Sequence, residues 1–201
     1  MTLRTLFITQ IYVANLTGER GFDADELSDA ARAVADEDET GQQWCDENAY
    51  GGYTSYASLS DLTRRDSLFD ELRRLLDRHV AAFAQDLHLD LKTKLKLDHL
   101  WINILAPGAG HSGHIHPGSV ISGTVYLEVP PEASALKLED PRLPMMMAAP
   151  KRTSDAPEAE KTFVYLTPQV GTVFLWESYL RHEVPANAAQ EERVSLSFNY
   201  G

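Results

Sequence analysis

Three histidines fall within six residues of this chain, at His111, His114 and His116. His114 and His116 stand two apart, so an extended backbone sends both imidazoles out from one face. Neutral imidazole is the commonest protein ligand for a metal ion, and two on one face can share one. A third ligand has to come from elsewhere. His182 is the candidate, because it is the only histidine in the C-terminal third and starts a second β-type segment. Another chemistry is written near the end of the chain. From Arg193 to Asn199 the pattern alternates strictly, with Val194, Leu196 and Phe198 on one face and Arg193, Ser195, Ser197 and Asn199 on the other. The apolar face meets a core, which leaves the polar face to water or to a polar cavity. A guanidinium can hold both oxygens of a carboxylate, and a hydroxyl two residues on adds a further hydrogen bond. The same alternation would also serve an exposed polar face of an edge strand.

The elements around these residues divide into a helical half and a β half. Residues 3 to 14 are rich in Leu, Ile, Phe and Val and predict a strand at a sheet edge. Asp23 and Glu26 have the spacing of a capping box ahead of Leu27, Ala30, Ala31 and Val34, one face of a short helix. The acidic run from Ala35 to Thr40 reads as a solvated face or loop. Between 41 and 60 the chain is rich in aromatics and turns, with Tyr53 to Leu59 a candidate strand. Those aromatics either line a substrate cleft or cover one end of the core. From Asp66 to Leu87 the residues Leu68, Leu72, Leu75, Leu76, Val80, Phe83 and Leu87 form one apolar stripe, the mark of an amphipathic helix lying across a sheet. His79 and His88 have no ligand-like neighbours and read as surface or packing residues.

After residue 97 the pattern turns to β. Segments 98–105, 119–129, 135–139, 162–167, 171–176 and 193–199 are strand-like and separated by Gly and Pro. Many short strands after a helical half predict a mainly β, α+β fold, a jelly roll buttressed by helices. The stretch 140–161, with three consecutive methionines from Met145, has no periodicity and predicts a long loop. At 201 residues the expectation is a single domain, with strand and helices over 1–96 and a β core over 97–201.

Charge excludes some functions. Thirty acidic against eighteen basic residues give a net charge of −12, which disfavours nucleic acid and anionic membranes as partners. The single cysteine, Cys45, allows no internal disulfide, and no apolar run is long enough to span a bilayer. A cytoplasmic protein is expected, with a homodimer compatible with its size.

The order of these motifs resembles the iron(II)/2-oxoglutarate-dependent oxygenase superfamily of double-stranded β-helix (cupin-like) enzymes. That superfamily carries a His-x-Asp/Glu pair, a distal His and, about ten residues later, an Arg-x-Ser that binds 2-oxoglutarate. The matching positions are His114, His116, His182, Arg193 and Ser195. Asn103 to Gly108 is similar to the lead-in strand and turn, and Tyr126-Leu127 to the next strand. Gly171 to Ser178 resembles the strand before the distal His. A bacterial and phage family of 2-oxoglutarate/iron(II) oxygenases shares further detail: His-x-His-Pro-Gly-Ser from His114, then Ser122-Gly123, Tyr126, Asp140-Pro-Arg142 and Arg193-x-Ser195. The resemblance covers roughly 97 to 199, with weaker echoes from Trp44 to Leu62.

What the resemblance implies is specific. Iron(II) would be held by His114, His116 and His182. 2-Oxoglutarate would be bound by Arg193 and Ser195, aided by Tyr126 or Asn103, and dioxygen would complete the reactants. The activity would be hydroxylation of a substrate the sequence does not name. The departure is His116, where the superfamily has a carboxylate. A third neutral ligand leaves iron(II) its full charge, which would slow or change the chemistry. Glu177 or Glu183 could replace one histidine, and His111, otherwise a surface loop residue, is a fourth candidate. Two rival readings follow. One is a three-His dioxygenase of cupin type that does not use 2-oxoglutarate, which leaves Arg193 and Ser195 without a role. The other is a non-enzymatic module with a structural metal, which would need a fourth protein ligand.

Overall fold

The computed structural model describes residues 2–201. In chain order its elements are β1 (Tyr12–Asn15), α1 (Ala24–Glu37), α2 (Glu39–Glu47), β2 (Gly52–Thr54), α3 (Leu62–Arg65) and α4 (Ser67–Asp86). There follow β3 (Leu97–Leu105), β4 (His111–His114), β5 (Ile121–Glu128), β6 (Leu136–Glu139), β7 (Phe163–Leu166), β8 (Thr172–Glu177), β9 (His182–Val184) and β10 (Arg193–Tyr200). Every ladder is antiparallel. A six-stranded sheet runs β1-β8-β5-β10-β3-β2, and a four-stranded sheet runs β4-β9-β6-β7. This is the double-stranded β-helix that the motif order implies.

The larger sheet has two different faces because its strands alternate. On one side Leu100, Ile102, Ile104, Val125, Leu175, Val194, Leu196 and Phe198 pack with the helices into the main core. Helix α4 supplies Leu72, Leu75, Leu76, Val80 and Phe83 to it, as its spacing predicts, together with Phe69, while Leu68 and Leu87 at the ends of the predicted stripe are only partly buried. Asp66 caps this helix by accepting from the Leu68 amide, and Asp23 caps α1 by accepting from the Asp25 and Glu26 amides. The Tyr200 hydroxyl donates to Asp77 at 2.8 Å, fastening α4 to the last strand. On the other side a smaller core joins the sheets, with Tyr126, Phe174 and Trp176 meeting Leu136, Leu138 and Val184. The polar positions of β10 and β3 lie on this inner side, where a water-facing surface would otherwise be.

Several expectations need correction. The first strand is four residues long and not twelve, though it does form the edge of the sheet. The ladder to β8 stops at Tyr12 opposite Leu175, and ahead of it Phe7 leaves the extended conformation at φ +57° while Leu3, Leu6, Phe7 and Ile8 lie exposed with no core to hold them. The candidate strand from Tyr53 to Leu59 stops at Thr54, because the Ser55 carbonyl accepts from Ser58 and Leu59 and turns the chain. The acidic run is not loop. It contains the end of α1 and the start of α2, joined at Asp38. The Asp38 side chain is buried and accepts from the Gly41 amide, the Tyr53 hydroxyl and Ser58. Residue 96 is no boundary for the large sheet, since β1 and β2 from the N-terminal half form its two edges. Segment 140–161 is irregular, as expected, with only two short 3-10 turns.

Candidate metal centre

Antiparallel pairing of β4 with β9 sets His114 directly opposite His182. Two residues on, the His116 amide donates to the Ser178 carbonyl at 3.0 Å, which brings the third histidine back to the same place. Gly118, at φ +94°, then allows the turn into β5. One ligand nitrogen from each of His114, His116 and His182 lies within 4.8 Å of the other two. The Nε2 atoms of His116 and His182 are 3.2 Å apart. Two nitrogens about 2.1 Å from a shared ion and about 90–110° apart would be separated by about 3.0–3.4 Å. The spacing fits a metal.

The tautomers fit as well. The Nδ1 of His114 is 2.7 Å from the Ser112 carbonyl, and that of His182 is 2.9 Å from the Leu180 carbonyl. A carbonyl only accepts, so Nδ1 carries the proton in both rings and Nε2 keeps its lone pair for a metal. Burial pushes His182 down to about 3 and His116 down to about 4, with the other histidines adding to the shift. Both are neutral at pH 7 and free to ligate. Trp176 packs against His182 at 4.7 Å and Trp101 stacks on His116 at 5.7 Å, so both rings are held in place before any metal arrives.

Neither carboxylate that could have replaced a histidine joins this cluster. Glu183 is paired with Lys137 at 2.6 Å, and Glu177 accepts from the Tyr179 hydroxyl. His111 is not a surface loop residue. It sits on β4, lines the same cavity and shares a short hydrogen bond with the Tyr50 hydroxyl. Burial first, then the charge of Arg193, lowers its pKa to about 4.

The three histidines open onto a cavity between the sheets with about 460 Å³ of empty space, part of it continuous with solvent. None of its lining residues is acidic, although the chain has thirty acidic residues. Arg193, Ser195, Tyr126 and Asn103 all line it. Arg193 is only 2% exposed, its guanidinium lies 5.3 Å from the Tyr126 ring, and its Nη1 donates to the Ser134 carbonyl and hydroxyl. Its Nε has no partner among the described residues. Asn103 is already engaged. It accepts from the Thr54 hydroxyl at 3.1 Å and donates to Ser197 at 3.0 Å, which makes it part of the cavity floor.

Sequence reasoning missed Ser134, Trp101 and Trp176, and left Tyr50 inside a stretch with two competing readings. Its aromatics cover the core and none of them lines the cavity itself. Tyr50 packs against the core and is hydrogen-bonded to His111, which lines the cavity, Tyr53 is core, and Tyr56 stacks on His99 at 5.2 Å. For Ser134 the sequence carries no signal, since a serine after two prolines reads as an ordinary loop.

A family model described as "Putative 2OG-Fe(II) oxygenase" matches residues 99–199. No curated protein matches the chain. Among solved structures, the epimerase SnoN from nogalamycin biosynthesis is 19% identical, with 96% of this chain and 76% of that one covered at a TM-score of 0.63. SnoN has also been seen in complex with Fe3+ and alpha ketoglutarate. A prolyl-4-hydroxylase from Pseudomonas putida is 17% identical, with 96% and 92% covered at a TM-score of 0.55. The chain spans 58% of the length of an oxidoreductase of the 2OG-Fe(II) oxygenase family from Burkholderia pseudomallei, which is 18% identical over 68% of this chain at a TM-score of 0.48. At these identities the solved structures speak for the fold. No helix among the described residues is long and apolar enough to cross a membrane.

Proposed function

Since its model matches half of the chain, the protein belongs to the 2OG-Fe(II) oxygenase family, and we propose that it hydroxylates its substrate with iron held by His114, His116 and His182. Enzymes of this family use iron(II), 2-oxoglutarate and dioxygen, and the bound metal supplies the oxidative chemistry. The chain's own residues bind, orient and exclude water. The carrying observation is Arg193. It is a buried guanidinium with an unpartnered N–H, in a cavity shared with three convergent imidazoles and no acidic side chain. A buried charge without a counter-ion costs several kcal/mol. An anionic ligand removes that cost.

Each residue then has a role. Arg193 takes the distal carboxylate of 2-oxoglutarate as a bidentate pair, and Ser195, two residues on along the same inner face, adds a hydrogen bond. Tyr126 supports the guanidinium from its ring face. Asn103 holds the floor by fixing Ser197 and Thr54. The inner apolar residues Leu136, Phe174 and Val184 keep water from the enclosed end. The three-His reading without 2-oxoglutarate gives Arg193 no function. A structural site needs a fourth ligand, and His111 is committed to Tyr50 and lies outside the cluster.

The test is an anaerobic titration of iron(II)-loaded protein with 2-oxoglutarate, followed by visible absorption. A saturating metal-to-ligand charge-transfer band is expected. One iron bound per chain and no band at any concentration would sink the 2-oxoglutarate reading.

A further inference from the structure

The guanidinium of Arg193 has five N–H donors, and the protein uses them unevenly. Both acceptors found for it belong to one residue: the Ser134 carbonyl at 2.9 Å and the Ser134 hydroxyl at 3.1 Å, each facing Nη1. Two acceptors match the two hydrogens of Nη1. Nε is left buried and unpartnered. The edge of the guanidinium plane that carries Nε–H and one Nη2–H therefore has no acceptor among the described residues, and its two parallel donors form a fork that suits a carboxylate. Resting on the reading above, we propose that Ser134 is a positioning residue. It fixes which edge of Arg193 meets the co-substrate carboxylate, and with it the length of 2-oxo acid the cavity accepts.

The backbone before Ser134 is built to hold it still. The Ala133 amide donates to the Pro130 carbonyl at 3.1 Å, closing a four-residue turn. Pro131 at the second position has its φ fixed by its ring, and Glu132 at the third adopts φ +65°. A turn with Pro second and a positive φ third is of the type II pattern, which favours Gly or Asn at that third place. A glutamate there is strained, and strained backbone persists where the surroundings over-determine it. Ser134 follows directly, 6% exposed. The Tyr126 ring below the guanidinium restrains its tilt. Ser134 restrains its rotation within the plane.

A rigid fork at a set distance from the metal discriminates between dicarboxylic 2-oxo acids by length. A fork free to rotate follows the carboxylate and discriminates less. This separates a positioning role from one in which Ser134 merely satisfies a buried arginine.

The experiment compares wild type, Ser134→Ala and Ser134→Thr, each loaded anaerobically with iron(II) and titrated with 2-oxoglutarate and with 2-oxoadipate, one methylene longer. The charge-transfer band gives both dissociation constants without turnover. Ser134→Ala should weaken 2-oxoglutarate about tenfold, as expected for a lost hydrogen bond in a charged contact. It should also bring the two constants closer together, with iron affinity and band position unchanged. Ser134→Thr keeps the hydroxyl and should restore both. Unchanged constants in Ser134→Ala would overturn the proposal, as would equal weakening of both acids together with loss of iron. A wild-type protein that binds iron without a band removes the 2-oxoglutarate reading and this inference with it. A wild-type band that Ser134→Ala leaves untouched removes this inference alone.

Discussion

The Nε2 atoms of His116 and His182 face each other at 3.2 Å, one from the turn after β4 and the other from the start of β9. A third imidazole, His114, completes the group, and no carboxylate joins it. Where the pattern this chain resembles has a carboxylate, the cluster here has a neutral imidazole, His116. Its charge balance then depends on what binds in the cavity.

Acid should destabilise the metal-free protein in a window set by the histidines. Burial lowers His111 and His116 to about 4 and His182 to about 3. In the unfolded chain each titrates near about 6.5. Above that pH neither state binds protons at these rings. As pH falls from there toward the folded values, the unfolded chain takes up protons that the native state refuses, so stability declines. Thermal melts of metal-free protein should give a lower Tm at pH 5 than at pH 7. A bound metal should protect over the same interval. A flat Tm between pH 7 and 5 would mean the imidazoles are not buried in the neutral form.

Replacing a ligand should remove the metal and leave the fold. Changes to outer-shell partners of a metal site cost about 10–100-fold in affinity, so loss of a ligand should cost more than that. His114→Ala and His182→Ala should therefore bind iron(II) over a hundredfold more weakly by anaerobic calorimetry, with the far-ultraviolet spectrum kept. His111→Ala should retain the metal, since His111 is bonded to Tyr50 and stands outside the group. The assignment would be wrong if the His111 variant lost iron and the His182 variant kept it.

Arg193→Met should separate binding from stability. The change removes a buried cation without a counter-ion, worth several kcal/mol against folding. It also leaves the Ser134 carbonyl and hydroxyl without their donor, which costs about 1–3 kcal/mol. The first effect is the larger. The variant should melt at the same temperature as wild type or higher when no 2-oxo acid is present. It should show no charge-transfer band with 2-oxoglutarate and keep its iron affinity. A Tm well below wild type would mean that Arg193 is a structural residue first.

Much of this arrangement is legible in the sequence because its signals are periodic or local. The alternation from Arg193 to Asn199 sets one face toward Ile104, Val125 and the helices and the other toward the cavity, as the pattern requires. The stripe of α4 and the cap at Asp66 are equally local. What the sequence does not carry is pairing across long separations. Residues 3 to 10 look like strand, yet they lie exposed and outside the ladder with β8. Asp38 looks like part of a solvated run, yet the fold brings Tyr53 and Ser58 onto its carboxylate. Ser134 reaches Arg193 across 59 positions with no pattern to announce it. His111 misleads for the same reason. Its neighbours Ser112 and Gly113 suggest loop, and only its pairing with Val184 turns it inward.

Gly123 tests how tightly the cavity floor is fastened to the core beneath it. In β5, Gly123 and Thr124 both line the cavity, but a Cβ on Gly123 would point into the core, within 2.5 Å of the Phe198 ring and 2.6 Å of Leu175. Both neighbours are fully buried on the strands either side, β10 and β8, so neither can swing away. Its φ is not in the left-handed region, so the objection to a side chain is space and not backbone strain. Overpacking of this kind costs about 1–3 kcal/mol. Gly123→Ala should therefore lower Tm by several degrees. If the core yields by pushing β5 inward, Thr124 moves into the cavity and 2-oxoglutarate binds more weakly. The three histidines sit on β4, β9 and the turn after β4, outside that displacement, so iron affinity should hold. A variant with wild-type Tm would show that Phe198 has room to give, and one that lost iron together with stability would show that the two sheets move as one body.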